Sequence, residues 1–486
     1  MTPGKSAWLI FSISVTLAAC ATNPVSGKKQ ISMLSEAEEL AIGQQQDAEV
    51  RREMGVYSDS ALQRYVSDVG LRLAATSHRP NLPWTFTIVD SPAINAFALP
   101  GGYIYITRGI LPYLDDESEL AGVVGHEIGH VTARHAAQAY TRQAEANIGL
   151  TILSIFVPGT RPFSDLSASG LGVLFLRNSR ENELEADRLG VEYGSNAGWD
   201  PEGVPRFLST LQRVDSLSER GVPNWLSTHP APESRVERAA PVATKFAGAA
   251  TARNRDAYLE KIDGLVVGDN PKDGIVRGNV FLHPQLRIGM DFPEGWDVVN
   301  SAEQVAAREP GTMHYMLLQE VEQPRGRALG DIAVAAMIKA GYKVVDGRMD
   351  RVNGMDAYVG TYRGEVKGTG RVLMRAAHIS VGRQVYIVAG LAPEAEFPLV
   401  DREIAPAVQS FRELSRDEAS RIRPNRLDFY VVRQGDSWQS IAARQGKNMV
   451  NAATLAIMND HAVSVQPEAG DRIKIVVEGL GHRCRR

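Results

Sequence analysis

His126-Glu127-Ile128-Gly129-His130 sets two imidazoles four residues apart, with a carboxylate directly after the first. On an α-helix, positions i and i+4 lie about 40° apart around the axis and one turn along it, so both imidazoles leave one face. Two neutral ring nitrogens at that spacing suit Zn²⁺, and the Glu can reach a water beside the ion. The reading depends on the flanks being helical.

They are. Asp115-Asp116-Glu117-Ser118-Glu119 puts acids where a helix start favours negative charge, with a cap at Asp115 or Asp116. Leu120, Val123, Val124, Ile128 and Val131 supply an apolar stripe at helical spacing. Gly122, Gly125 and Gly129 each weaken that helix by about 1 kcal/mol against Ala, which predicts a neighbouring backbone packed closely against it. His135 falls nine residues after His126, about 180° around a continued helix, and reads as a solvated or capping His outside the site.

A catalytic zinc needs a third ligand. Arg180 to Gly190 is a second acidic helical stretch in which Glu183 and Asp187 share a face, while Glu185 lies about 200° from Glu183 and points away. One carboxylate of the pair can bind the ion and the other can accept the N–H of a ligand imidazole.

These two motifs, with Asn95 to Ile106, Thr228-His229-Pro230 and Arg235, resemble the gluzincin metallopeptidases of family 48, which include the CAAX prenyl proteases, HtpX and BepA. The likeness runs from about Ser35 to Ala240. It implies one Zn²⁺ per chain held by His126, His130 and Glu183, with Asp187 steadying a ligand and Glu127 as the catalytic base. It also implies a substrate-pairing strand, taken as Asn95, Ala96, Gly102, Tyr103, Ile104 and Tyr105. Independently, Pro100-Gly101-Gly102 before alternating Tyr and Ile reads as a turn entering a strand. His229 has three readings: an oxyanion donor, a displaceable fourth ligand, or a plain His-Pro turn. Arg235 either assists the oxyanion or pairs with Glu233 or Glu237.

Between the motifs, the apolar run Asn147 to Val157 is too short to span a bilayer, which takes about 20 residues. It reads as a buried helix, a lid or a client-binding surface, and Ser164 to Gly172 as a loop that suits a lid. At the start, Lys5 precedes an apolar run ending Leu17-Ala18-Ala19-Cys20, a secretory leader in outline. Its end resembles the lipobox of bacterial lipoproteins, so lipidation is expected at Cys20, with anchoring to the outer membrane from the periplasm. The other cysteine is Cys484, which leaves no internal disulfide if Cys20 is acylated.

The expected fold class is multidomain α+β. Residues 1–20 form the leader and 31–265 a mainly helical zincin-type metallopeptidase domain with a small sheet. Residues 275–415 form an antiparallel α+β domain, in which His283, His314 and His378 are scattered and structural. Residues 428–478 resemble a LysM module of βααβ order, which implies peptidoglycan as a partner. The stretch between its helices is longer than usual, so a module serving only as a spacer stays open. No 34-residue helical repeat is present. A net charge of −4 and a pI near 6.2 argue against a nucleic-acid partner. The function expected is zinc endopeptidase action on misfolded or unassembled envelope proteins. The alternatives are a cell-wall-binding assembly factor with a latched zinc site and a peptidoglycan peptide hydrolase.

Overall fold

The computed structural model describes residues 19–32, 34–146, 178–217, 225, 229, 232–246, 248, 250–301, 304–321, 326–366, 369–446 and 449–479. The leader up to residue 18, the apolar run 147–157 and the Ser/Gly-rich run 164–172 lie outside these.

A hairpin of β1 (Ala19–Thr22) and β2 (Lys29–Ser32) precedes α1 (Glu36–Glu53) and α2 (Ser60–Ala75). Ser35 and Glu38 form a capping box on α1, and Asp59 caps α2. Strands β3 (Thr85–Val89), β4 (Ala96–Leu99) and β5 (Tyr103–Thr107) follow in the sheet order β3-β5-β4. The turn from β4 into β5 is Pro100-Gly101-Gly102, with φ of 86° and 101° at the two glycines, a region that side-chain-bearing residues avoid. The hairpin leaves β4 at the sheet edge, beside the motif helix.

That helix, α3 (Glu117–Thr132), is capped by Asp116, whose side chain accepts the Glu119 amide N–H. It is buried on every side rather than along one stripe, because α2, β4 and four later helices surround it. It stops at Thr132. Arg134 turns to φ 58°, and α4 (His135–Ala146) starts in a new direction. Helix α5 (Arg180–Asn196) starts at the cap Ser179 and runs along α3 at backbone contact. A Cβ added at Gly125 would sit 3.1 Å from the Gly190 Cα, and one at Gly129 3.1 Å from the Ala186 Cα. The predicted close approach of a neighbour therefore exists at these glycines. Helices α6 (Gly203–Leu217), α7 (Pro232–Lys245) and α8 (Arg255–Ile262), with β6 (Val266–Val267), complete the unit.

The second unit holds a four-stranded and a seven-stranded antiparallel sheet. Helix Leu329–Lys339 lies on the seven-stranded sheet, and helix Phe397–Ser410 packs against that sheet and one strand of the smaller. The expected strands at 286–292, 315–318, 357–362, 372–378 and 384–389 all fall on observed ones. The third unit has the βααβ order, from strand Asn425–Val431 through helices Trp438–Gln445 and Ala452–Met458 to strand Arg472–Glu478. It is built into the first unit. Strand Asn425–Val431 pairs with β6, and Leu427, Met458 and Val476 share a core with Tyr258, Leu259 and Ile262. Among the described residues no helix is long and apolar enough to cross a membrane.

Candidate metal centre

Helix α3 projects His126 and His130 together, their Nε2 atoms 3.0 Å apart. Helix α5 brings Glu183 to them, with oxygens 3.5 Å from His126 Nε2 and 3.4 Å from His130 Nε2. His229 arrives as a fourth donor, its Nδ1 3.0 Å from Glu183 Oε2 and 3.4 Å from His126 Nε2. All four residues are buried, and their donor atoms lie within 4.8 Å of one another. A tetrahedral ion with Zn–N bonds near 2.05 Å needs donors about 3.3 Å apart, so the cluster matches zinc.

The surroundings fix the ligands. His126 Nδ1 lies 2.9 Å from Asp187 Oδ1, so its N–H donates to that carboxylate and Nε2 faces the cluster. Arg235, wholly buried, grips Asp187 through Nε and Nη2 at 2.7 and 2.6 Å. Its Nη1 lies 2.9 Å from Glu183 Oε2. Arg235 thus pairs with the two acids of α5, Asp187 and Glu183, and holds them in place. Burial acts to raise the Glu183 carboxyl, but His229 and the hydrogen bonds from His126 and His229 outweigh it and hold it well below the usual range, the ionised state a metal ligand requires. Burial opposes charge on His126, yet hydrogen bonds to Asp187 and Glu183 push it up to about 9. Burial drives His130 well below its ordinary value, leaving it neutral and able to ligate.

Glu127 leaves the same helix turn, and burial pushes its carboxyl up. Its Oε1 has no hydrogen-bond partner among the described residues, and the nearest cation-forming group is His229 Nε2 at 3.6 Å. A buried acceptor left open beside four converging donors fits a water held at an ion.

The substrate strand needs correction. Tyr103, Ile104 and Tyr105 lie on β5, the middle strand, parallel to β3 and antiparallel to β4, so both its edges are already used. Gly102 is in the turn, where its carbonyl accepts from Thr85, and the Asn95 carboxamide accepts the Ala96 N–H. The strand at the edge is Ala96–Leu99, and Phe97, Ala98 and Leu99 line a cleft with Glu127, His130 and Ala137. Alternation alone identifies a strand but not its place in the sheet.

Three further residues were missed by sequence reasoning. Trp225 stacks on His229, with ring centroids 4.1 Å apart and planes at 23°, and its backbone N–H donates to Ile94 just before β4. His135 is buried, not solvated, and its Nδ1 lies 2.9 Å from His130 Nδ1. Glu185 does point away from Glu183, but toward His135 Nε2 at 3.2 Å. Thr132-Ala133-Arg134 carries no Gly or Pro to announce the helix break that brings His135 back, so its angle could not be read in advance.

A His-Glu-x-x-His pair met by a glutamate from a second, antiparallel helix beside an edge strand is the arrangement of a zinc metallopeptidase domain of the gluzincin type. Residues 60–242 match the model of peptidase family M48, and residues 430–476 match that of the LysM domain, so the chain carries both domains. The β-barrel assembly-enhancing protease of Escherichia coli K12 is 32% identical over 199 residues, 39% of this chain and 41% of that one. The putative counterpart in Vibrio cholerae is 34% identical over 189 residues, 37% and 39% of the two chains. The mitochondrial metalloendopeptidase OMA1 of Schizosaccharomyces pombe is 34% identical over 188 residues, 37% and 54% of the two chains. The chain spans about two fifths of the length of the bacterial relatives it matches.

Proposed function

We propose that this protein is a zinc-dependent endopeptidase of the bacterial periplasm that cuts misfolded or unassembled envelope proteins and is lipid-anchored through Cys20, at the outer membrane. The observation that carries the reading is Glu127 Oε1, buried and unpartnered beside four converging donors in a cleft walled by an edge strand. The relatives named as proteases support it, and the one named for β-barrel assembly supports the envelope client class.

The chemistry that zinc supplies, held by His126, His130 and Glu183, is Lewis acidity toward water and the scissile carbonyl. Glu127 takes the proton of the attacking water at Oε1 and delivers it to the leaving amine. Asp187 keeps His126 in the Nδ1–H tautomer, and Arg235 keeps Asp187 and Glu183 in place. A client laid along Ala96–Leu99 adds a strand through main-chain hydrogen bonds that ignore side-chain identity, which suits quality control. The LysM domain supports peptidoglycan as a partner of residues 428–478.

The test is Glu127→Gln: the purified protein should keep its zinc and lose cleavage of an unfolded substrate, and full turnover would end the proposal.

A second reading is a cell-wall-binding assembly factor whose zinc site is latched. It is favoured by His229 in the fourth donor position and by the Trp225 N–H bonded at 2.9 Å to Ile94. A peptidoglycan peptide hydrolase is the third. Incubation with unfolded protein and with sacculi separates them, through cleavage of the first, of neither, or of stem peptides.

A further inference from the structure

We propose that His135 and Glu185 are positioning residues for the ligand His130, fixing the tautomer that leaves its Nε2 lone pair free for the metal ion. The proposal rests on the reading of His126, His130 and Glu183 as a zinc site.

The argument is one of donors and acceptors. A carboxylate only accepts, so across the 3.2 Å contact with Glu185 Oε2, His135 Nε2 must carry the hydrogen. In the neutral imidazole a hydrogen on Nε2 leaves Nδ1 bare, and that form of His135 makes His130 Nδ1 the donor across the 2.9 Å contact. His130 then has its lone pair on Nε2, the atom 3.0 Å from His126 Nε2 and 3.4 Å from Glu183 Oε1. For neutral imidazoles each contact leaves one assignment for the next.

The rings meet nearly edge-on, with centroids 5.0 Å apart and planes at 72°. Arg134 makes this geometry available. Its φ of 58° ends α3, and the chain re-enters as α4 with His135 folded back under His130. His126 receives the same support directly from Asp187. The two imidazoles are thus held by unlike means, one by a carboxylate and the other by a carboxylate acting through a second imidazole. Helix α5 supplies the ligand Glu183 and both terminal acceptors, Asp187 and Glu185. The two ligand orientations and the third ligand therefore depend on one helix.

The experiment measures zinc affinity of the full chain by chelator competition, and records the visible spectrum after cobalt replacement. His135→Phe removes the acceptor and should weaken zinc binding about 10–100-fold, the range for partners that orient metal ligands. Glu185→Ala leaves the imidazole free to choose its tautomer and should weaken binding less. Glu185→Gln keeps an acceptor oxygen and should restore most of the loss. Because the two act in series, His135→Phe with Glu185→Ala should bind no worse than His135→Phe alone. The cobalt bands should shift in His135→Phe, which a role in packing would not produce.

Wild-type affinity and an unshifted spectrum in His135→Phe overturn the proposal. If His135→Phe does not fold, Glu185→Ala decides in its place, since Glu185 lies part-way to the surface. Full affinity there overturns the proposal as well. Loss of zinc in His126→Ala beside unchanged binding in both other variants would refute the positioning role alone. Wild-type protein that takes up no zinc would refute the metal site and the positioning role together.

Discussion

Lys474 lies on the last strand of the LysM domain, yet its ammonium is wholly buried in the peptidase domain. Its Nζ donates to the Leu114 carbonyl at 2.7 Å and lies 3.5 Å from Asp115 Oδ1, at the start of the zinc helix. At that separation, in an effective dielectric near 20, the attraction is about 5 kcal/mol before desolvation. Lys474→Met keeps the stem volume and removes the charge. Asp115 would keep Arg255, 2.9 Å away on its other oxygen, while the Leu114 carbonyl would lose its donor. The expected cost is about 2–4 kcal/mol, below the full penalty for an unpaired buried charge because one cation remains. Urea unfolding followed by tryptophan fluorescence measures it, and peptidase and LysM domains should unfold in one transition. Acid adds an independent check. Burial acts to raise the Asp115 carboxyl, but Lys474 and Arg255 outweigh it and hold it at about 2. That lies below the value of about 3.9 in an unfolded chain. The stabilisation is therefore complete above about pH 4 and is lost as pH falls toward 2. With Lys474 gone the Asp115 carboxyl is held down less, so the part of the stability lost between about pH 4 and pH 2 should be smaller in Lys474→Met. Two separate unfolding transitions, with only a LysM transition moved by the substitution, would refute the reasoning.

Glu127→Gln should lower turnover about 10²–10⁴-fold with zinc content unchanged by atomic absorption, since general-base catalysis contributes that much. Glu183→Ala should abolish stoichiometric zinc, whereas Asp187→Asn should keep a weaker site, about 10–100-fold down by chelator competition. Gly190→Ala would set a Cβ 3.0 Å from the His126 backbone nitrogen, so α3 and α5 must part. A stability loss of about 1–3 kcal/mol with reduced zinc retention is expected, and a variant as stable as wild type would contradict the close-packing account. His229→Ala separates two roles by sign in a peptide-cleavage assay: turnover rises if His229 obstructs the fourth position, and falls if it supplies an oxyanion donor.

The fold was legible where chemistry is local. Helical spacing and acidic starts located α3 and α5, and the glycines at 125 and 129 implied a close neighbour before that neighbour could be named. Alternation located the strands of the second unit and the βααβ order of the third. What local pattern could not convey was contact between distant segments. Nothing in Val266-Val267 announces that it extends the LysM sheet, and nothing in Lys474 announces a partner 360 residues earlier.

The site divides along the same line. His126, His130, Glu183 and Asp187 were legible because helical phase relates each pair within one element, and phase is reliable while the helix lasts. His135 was lost because the same phase was carried past Thr132, where the helix had ended. A residue assigned to the far side of α3 was instead the first residue of α4, turned back onto the ligand. The error over β5 has the same origin: alternation gives the two faces of a strand, but which strand keeps a free edge is decided by the order β3-β5-β4. Both corrections concern groups that touch ligand or cleft, where the chain departs from regular structure at a left-handed residue and at the rim of a sheet. Periodicity holds only within an element, so residues brought together across a break are the ones it cannot assign.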